Sequence, residues 1–376
     1  MKKTLSMLAI MSAVLVSCEP ENVENNQKPT PEPTPDPEYS ISVSPAELTF
    51  GAEGGEQSVT VTAKYGDDSS SWELRGESQW KESENKELWY CESAEWCKVT
   101  NISGYNEDEL SFIVTSFNFE TTERECSFTL LNGDKEIELT VTQGIDDSPL
   151  IQFSNPDFEK AVIIQADLNV DNNISEAEAA YLKELDLSEK GLTDLSDIKY
   201  FINLTFLNCY GNQLTSLDVS NNTALTELVC SYNQLTSLDV SNNTALTELS
   251  CGSNNLTSLD LSKNTALTEL SCGSNNLTSL DLSNNVALTK LWCFDNQLTS
   301  LDLSKNTALT YLDCDNNQLT TLDLRNNFIS DSICYITCSG NPLERIVLSK
   351  RHNISGLYNN LDDIIEEYGD IITYVD

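Results

Sequence analysis

Histidine is almost missing: the chain of 376 residues holds one, His352. That scarcity removes the commonest general base and any recurring Cys–His metal cage or dyad. Positive charge is also scarce, with Lys+Arg 21 against Asp+Glu 60 and a net charge of −39. Such a surface repels phosphate backbones and anionic lipid heads, which argues against nucleic acid as a partner. No G-x-S-x-G, H-E-x-x-H or phosphate-loop pattern occurs, so no motif asks for an enzyme or an organic cofactor. Counting acids does not test for a glycosidase-type carboxylate pair, but a regular repeat offers no pocket for one. Apolar runs of near-membrane length are absent too, except at the N-terminus.

That N-terminus reads "MKKTLSMLAIMSAVLVSC". Lys2 and Lys3 precede an apolar stretch too short for a convincing span. Its ending, Leu15-Val16-Ser17-Cys18, resembles a bacterial lipoprotein signal; a plain secretory signal is the alternative. The resemblance implies removal of residues 1–17, acylation of Cys18 and attachment to a membrane through the lipid. The following "EPENVE" is similar to surface-export signals of Bacteroidetes lipoproteins, which implies an outer-membrane protein facing outward. Residues 18–39 include "PEPTPDPE", extended proline-rich chain that reads as a tether.

Residues 40–145 alternate apolar and polar in short runs such as "LTFGAEGGEQSVTVTA", "CSFTLL" and "IELTVTQ". Period-two patterning between Gly, Asn and Asp predicts antiparallel strands in a sandwich. With "EWCKVT" and "NFETTERECSFTL", the segment resembles the BACON domain of Bacteroidetes surface proteins. The resemblance implies an Ig-like β-sandwich that binds carbohydrate or acts as a spacer. It also places Trp96 at the family's core tryptophan, while Trp72, Trp80 and Trp89 are left open between core and surface. The Ser/Glu/Trp-rich stretch from Gly66 to Glu92 reads as an insertion. Cys91, Cys97 and Cys126 allow one disulfide; without a CxxC or a nearby His, zinc is not indicated.

Residues 150–200 predict a helical cap. Asn155 before Pro156 is a helix start. Twelve residues, Asp167–Glu178, then match the EF-hand calcium loop. Asp167, Asn169 and Asp171 take its first, third and fifth positions, Asn173 offers a carbonyl, Ser175 a hydroxyl and Glu178 the closing bidentate carboxylate. Asn172 stands where glycine is usual. Calcium is one reading; the other is a cap whose Asp and Asn side chains bond local amides. No second loop follows, so a paired sensor is not indicated.

From Leu214 the chain repeats every 21 residues, with copies starting at Leu235, Leu256, Leu277, Leu298 and, in a unit three residues longer, Leu319. Self-similarity at a fixed short period marks a solenoid. The pattern L-x-x-L-x-C-x-x-N-x-L (Leu225, Leu228, Cys230, Asn233, Leu235) is a leucine-rich repeat with cysteine in place of the third leucine. It resembles internalin-like bacterial arrays that carry a cysteine ladder. The whole therefore reads as multidomain: a BACON-like Ig-like β-sandwich, then a leucine-rich-repeat solenoid over 201–345 with a helical, EF-hand-like N-terminal cap and a C-terminal cap over 346–376.

Alternation along a strand points Leu228 and Cys230 inward and Val229 outward. Cys209, Cys230, Cys251, Cys272, Cys293, Cys314 and Cys338 should thus form a buried column of thiols too parallel for disulfides. Asn212, Asn233, Asn254, Asn275, Asn296, Asn317 and Asn341 should turn inward to serve turn amides. Asp218, Asp239, Asp260, Asp281, Asp302 and Asp323 should point outward, either as hydrated turn-bonding groups or as a calcium ladder.

The outward strand positions diverge where the inward ones are copied. Ser271-Cys272-Gly273 becomes Trp292-Cys293-Phe294. With Tyr311, Tyr232, Lys290 and Asp313, these residues make a candidate ligand-binding set on the strand-lined face, approached across a smooth Ser/Gly stretch from Ser250 to Ser274. The bland alternative is aromatics covering apolar surface or touching the C-terminal cap. The reading is a lipid-anchored surface protein that recognises a host or microbial protein or glycan. Its rival is a carbohydrate-binding accessory whose site lies in the first domain.

Overall fold

The computed structural model describes residues 37–375 except 84–87, 92–93, 115, 117, 120–121, 328–334 and 350–366. The expectations for Cys18, the signal, most of the tether and His352 fall outside the described residues.

The first domain is two β-sheets around one core. Strands β1 (Tyr39–Ser44), β3 (Gly55–Tyr65), β4 (Asp68–Ser69), β6 (Trp80–Glu82), β7 (Trp89–Cys91), β8 (Cys97–Val99) and β10 (Glu107–Val114) form one sheet. Strands β2 (Glu47–Phe50), β5 (Ser71–Gly76), β9 (Ser103–Tyr105), β11 (Arg124–Asn132) and β12 (Lys135–Gln143) form the other. Alternation decides which side chains face in: along β11, Cys126, Phe128 and Leu130 are buried, and along β10, Leu110, Phe112 and Val114. These residues close one hydrophobic cluster with Val59, Val61, Leu74 and Leu139.

One expectation needs correction here. The stretch from Gly66 to Glu92 is not an appendage, because β5 pairs with β11 and puts Trp72 and Leu74 into the core. Trp72 is enclosed by the core, and Trp96, half-buried with the Arg124 guanidinium 4.9 Å from its ring centroid, packs against the same core as expected. Trp96 sits in a turn before β8, where a strand's inward alternation does not act on it; Trp72 sits within β5 and is turned in by it. Cys91, Cys97 and Cys126 are buried and form no disulfide among the described residues.

Helix α1 (Pro156–Ala166) starts where Asn155 accepts from the amides of Asp157 and Phe158. Helix α2 (Glu176–Tyr181) starts with a capping box between Ser175 and Glu178. Phe158, Val162, Ala166 and Ala179 join the hydrophobic cluster that continues down the solenoid. The cap thereby covers the first rung, whose leucines would otherwise meet water. Among the described residues, no helix is long and apolar enough to cross a membrane.

The solenoid runs through about eight turns. Its strands β13 (Glu184–Asp186), β14 (Phe206–Asn208), β15 (Glu227–Val229), β16 (Glu248–Ser250), β17 (Glu269–Ser271), β18 (Lys290–Trp292), β19 (Tyr311–Asp313) and β21 (Tyr335–Thr337) form one parallel sheet in chain order. Strand β20 (Thr321–Asp323) starts a second, short sheet with β22 (Arg345–Ser349) and β23 (Ile372–Val375). Each rung contributes Leu, Leu, Cys and Leu to a continuous interior, with Leu228, Cys230 and Leu235 fully buried in one rung and Leu249, Cys251 and Leu256 in the next. Burying one leucine is worth about 1.5–3 kcal/mol, and a rung finds that burial only against its neighbours.

Candidate recognition face

Identical spacing puts identical groups in register. Leu228 pairs with Leu249, Leu249 with Leu270, Leu270 with Leu291 and Leu291 with Leu312. The seven ladder cysteines are fully buried and free, as the strand alternation predicts. Burial pushes the thiols of Cys209, Cys251 and Cys338 up to about 12, and those of Cys230, Cys272, Cys293 and Cys314 well above the ordinary range. Such thiols are inert packing groups, not nucleophiles.

The inward asparagines do what their position predicts. Asn254 Nδ2 donates to the carbonyls of Cys230 and Cys251, each at 3.1 Å, and its Oδ1 accepts from Leu235 N at 2.9 Å. One side chain thus ties its own rung to the one before it. A second inward column, unnoticed in the sequence, consists of Asn222, Asn243, Asn264, Asn285, Asn306 and Asn327, all fully buried. Asn264 Nδ2 donates to the carbonyls of Val240 at 3.0 Å and Asn243 at 2.9 Å. Its signal was in plain view, since the second Asn of "SNNTAL" recurs with the same period as the leucines.

The aspartate column bonds its own turns. Asp218, Asp239, Asp260, Asp281 and Asp302 each accept from the amide of the serine two residues on at 2.9 Å. Hydrogen bonds from that serine's hydroxyl and amide hold these carboxyls below the usual carboxylate range.

The outward strand positions carry the candidate set. Trp292 and Tyr311 lie with ring centroids 4.9 Å apart, and Tyr311 stacks on Tyr335 at 4.9 Å and 17°. All three belong to adjacent strands of the same sheet. Tyr335 is thus a member that the sequence reading missed, because the longer unit shifts it out of the period. Phe294 leans toward the preceding rung: a Cβ placed on Gly273 would lie 2.7 Å from its ring. The Ser/Gly stretch is therefore not wholly open, since Phe294 occupies the space above Gly273. Trp292, Phe294 and Tyr311 are half-buried, and the inward Leu291 and Cys293 between them are enclosed.

The charged members border this stack. Lys290 is in register with Tyr311 and holds Glu269 through a 2.7 Å ion pair. Asp313 is in register with Trp292 and accepts from the amide of Asp315 at 3.3 Å. Tyr232 does not join the set. It is 59% exposed, sits in a left-handed turn with φ 57° and packs against Tyr210, ring centroids 5.1 Å apart and tilted by 53°, near the opposite end of the array.

The loop Asp167–Glu178 is closed by its own hydrogen bonds. Asp167 accepts from the amides of Asp171 and Asn172, Asn169 from Asp171, and Asp171 from Asn173. Asn172 takes the left-handed conformation, φ 64°, that an EF-hand loop requires at its glycine position. Glu178 is fully buried, and its two oxygens accept from the amides of Leu168, Asn169 and Ser175. Among the described residues no group of three His, Cys, Asp or Glu side chains is placed to hold a metal. The turn suits the cation, but the acids in this arrangement serve amides.

Comparison with known proteins bears on the array. Residues 286–331 match the model for leucine-rich repeats in two copies. Internalin J of Listeria monocytogenes serotype 4b (strain F2365) is 34% identical over 111 residues, which cover 30% of this chain and only 12% of that protein. The solved functional domain of InlJ from Listeria monocytogenes, described as including a cysteine ladder, is 31% identical with a TM-score of 0.36, covering 55% of this chain and 59% of that one. A leucine-rich-repeat protein of Leptospira interrogans is 25% identical with a TM-score of 0.41, covering 54% and 51%. The array is similar to the leucine-rich repeats of internalin J, and the chain carries its buried cysteine ladder behind a β-rich N-terminal domain.

Proposed function

We propose that this is a surface recognition protein, held to the outer membrane through a lipid on Cys18, whose strand-lined face binds a host or microbial surface protein or glycan. One observation carries the reading. Inward positions of the rungs are copied, yet the outward ones diverge, and the divergent aromatics converge into a single stack of Trp292, Tyr311 and Tyr335 beside Phe294. Packing requires the copying but not the divergence. Half-buried aromatics on a rigid sheet give large contact area at little entropic cost, which is the character of interface anchors. The similarity to internalin J supports a protein ligand over a reaction. In this reading the β-rich domain and tether raise the array above the lipid surface.

The test is capture by the full chain of extracted surface proteins and glycans. Trp292→Ala with Phe294→Ala should reduce capture by about tenfold or more, the loss expected when one or two anchors are truncated, while melting shifts by only a few degrees. Undiminished capture would refute this face as the binding site.

A further inference from the structure

The first outward column of the sheet reads Glu227, Glu248, Glu269, Lys290, Tyr311, Tyr335. Parallel register sets successive members about 4.8 Å apart. Three glutamates in consecutive rungs repel one another, and like charges opposed across strands destabilise a sheet. Nothing in the core calls for them, since they point away from it. Among the described residues Glu227 and Glu248 form no ion pair; Lys290 pairs with Glu269 and is felt more weakly by Glu248. Burial, then the nearby Glu248, Glu184 and Glu269, hold the Glu227 carboxyl above its ordinary range. The column then passes into the stacked faces of Tyr311 and Tyr335, with Trp292 against Tyr311. Aromatic faces attract cations, as carboxylates do.

We infer that the occupant of this face is a basic polypeptide segment, rich in Lys and Arg, lying along the run of rungs. Its cations meet the Glu227–Glu248–Glu269 column, and its aliphatic stems and guanidinium planes lie on Trp292, Tyr311 and Tyr335. The inference rests on the recognition reading and specifies its partner. A second copy of this chain is a poor occupant, because two bodies of net charge −39 repel. A neutral glycan would stack on the aromatics but leave the glutamate repulsion unrelieved. A basic segment relieves it, and the acidic field of the whole chain speeds its approach.

The experiment measures binding of the full chain to a labelled Lys/Arg-rich peptide, and to a twin in which every Lys and Arg is Gln. The basic peptide should bind, weaken with added salt, and lose about tenfold in affinity to a Glu227→Gln, Glu248→Gln, Glu269→Gln variant. A matched Asp218→Asn, Asp239→Asn, Asp260→Asn variant, which loses the same charge on another limb of the coil, should bind as the parent does. Equal loss in the two triple variants would reduce the effect to net charge and overturn the inference. Equal binding of the neutral twin would also overturn it. If the neutral twin's binding falls with Trp292→Ala and Phe294→Ala but not with the glutamine variant, the face stands and the basic partner falls. If no variant changes binding of either peptide, both readings fall.

Discussion

Tyr311 and Tyr335 stack at 4.9 Å although the unit joining them is three residues longer than the others. Their strands still pair in register, Leu312 opposite Ile336 and Asp313 opposite Thr337. The extra length is therefore absorbed outside the strand, and the aromatic column continues across the irregular unit. Tyr335→Ala should weaken capture without disturbing Trp292, because Tyr311 still supports the indole. Binding measured for Tyr335→Ala and for Trp292→Ala separately and together checks this. Strict additivity would mean that the rings do not act as one surface.

The thiol column makes the array sensitive to alkali. A thiol ionises near 9.0 when free, whereas burial holds Cys209, Cys251 and Cys338 near 12. An acid whose native pKa is raised adds stability that is complete below its unfolded value and is lost as pH climbs toward the native one. Stability should thus be flat up to about pH 8 and fall above pH 9. A Cys230→Ala, Cys251→Ala, Cys272→Ala variant should show a shallower fall in denaturant titrations. Alkylation of the native parent at pH 8 should spare all seven ladder cysteines, and labelling of Cys251 under those conditions would contradict its burial.

Asn254→Ala should cost about 2–4 kcal/mol, because it strands a buried Leu235 amide and removes donors from two carbonyls. Asn255→Ala, the neighbouring exposed position, should cost nearly nothing. Urea midpoints for the pair decide the matter, and similar midpoints would refute the tie between rungs.

Calcium binding at Asp167–Glu178 is a proposal that Asn172's left-handed turn supports. If the loop takes the ion, millimolar calcium should raise the melting temperature by several degrees, and Asp167→Ala should abolish the rise. Superimposable melts with calcium and with chelator would leave Asp167 and Glu178 as caps alone.

The repeat, the direction of the cysteines and the inward Asn254 column were legible because period 21 and strand alternation fix them locally. Trp292 and Phe294 stood out for the same reason, as departures from a copied frame. What escaped depended on contacts between rungs or on an irregular unit. Tyr335 lay beyond the extra residues, and the seat of Phe294 over Gly273 joins two copies. Tyr232 follows strand β15, three strands before the Trp292 strand in the sheet, and its ring meets Tyr210 instead. In the first domain, the enclosure of Trp72, left open in the sequence, needed strand assignment within a stretch that showed no clean alternation.

The asparagine ties have a mechanical consequence. Each Asn of the Asn254 column grips the rung behind it through buried bonds, so a pull along the solenoid axis loads those bonds together with the strand pairs. Tension applied at one end would peel the coil turn by turn, not snap it at once. If the proposed anchor and ligand hold it at two points, such a body would yield gradually and keep its grip under flow.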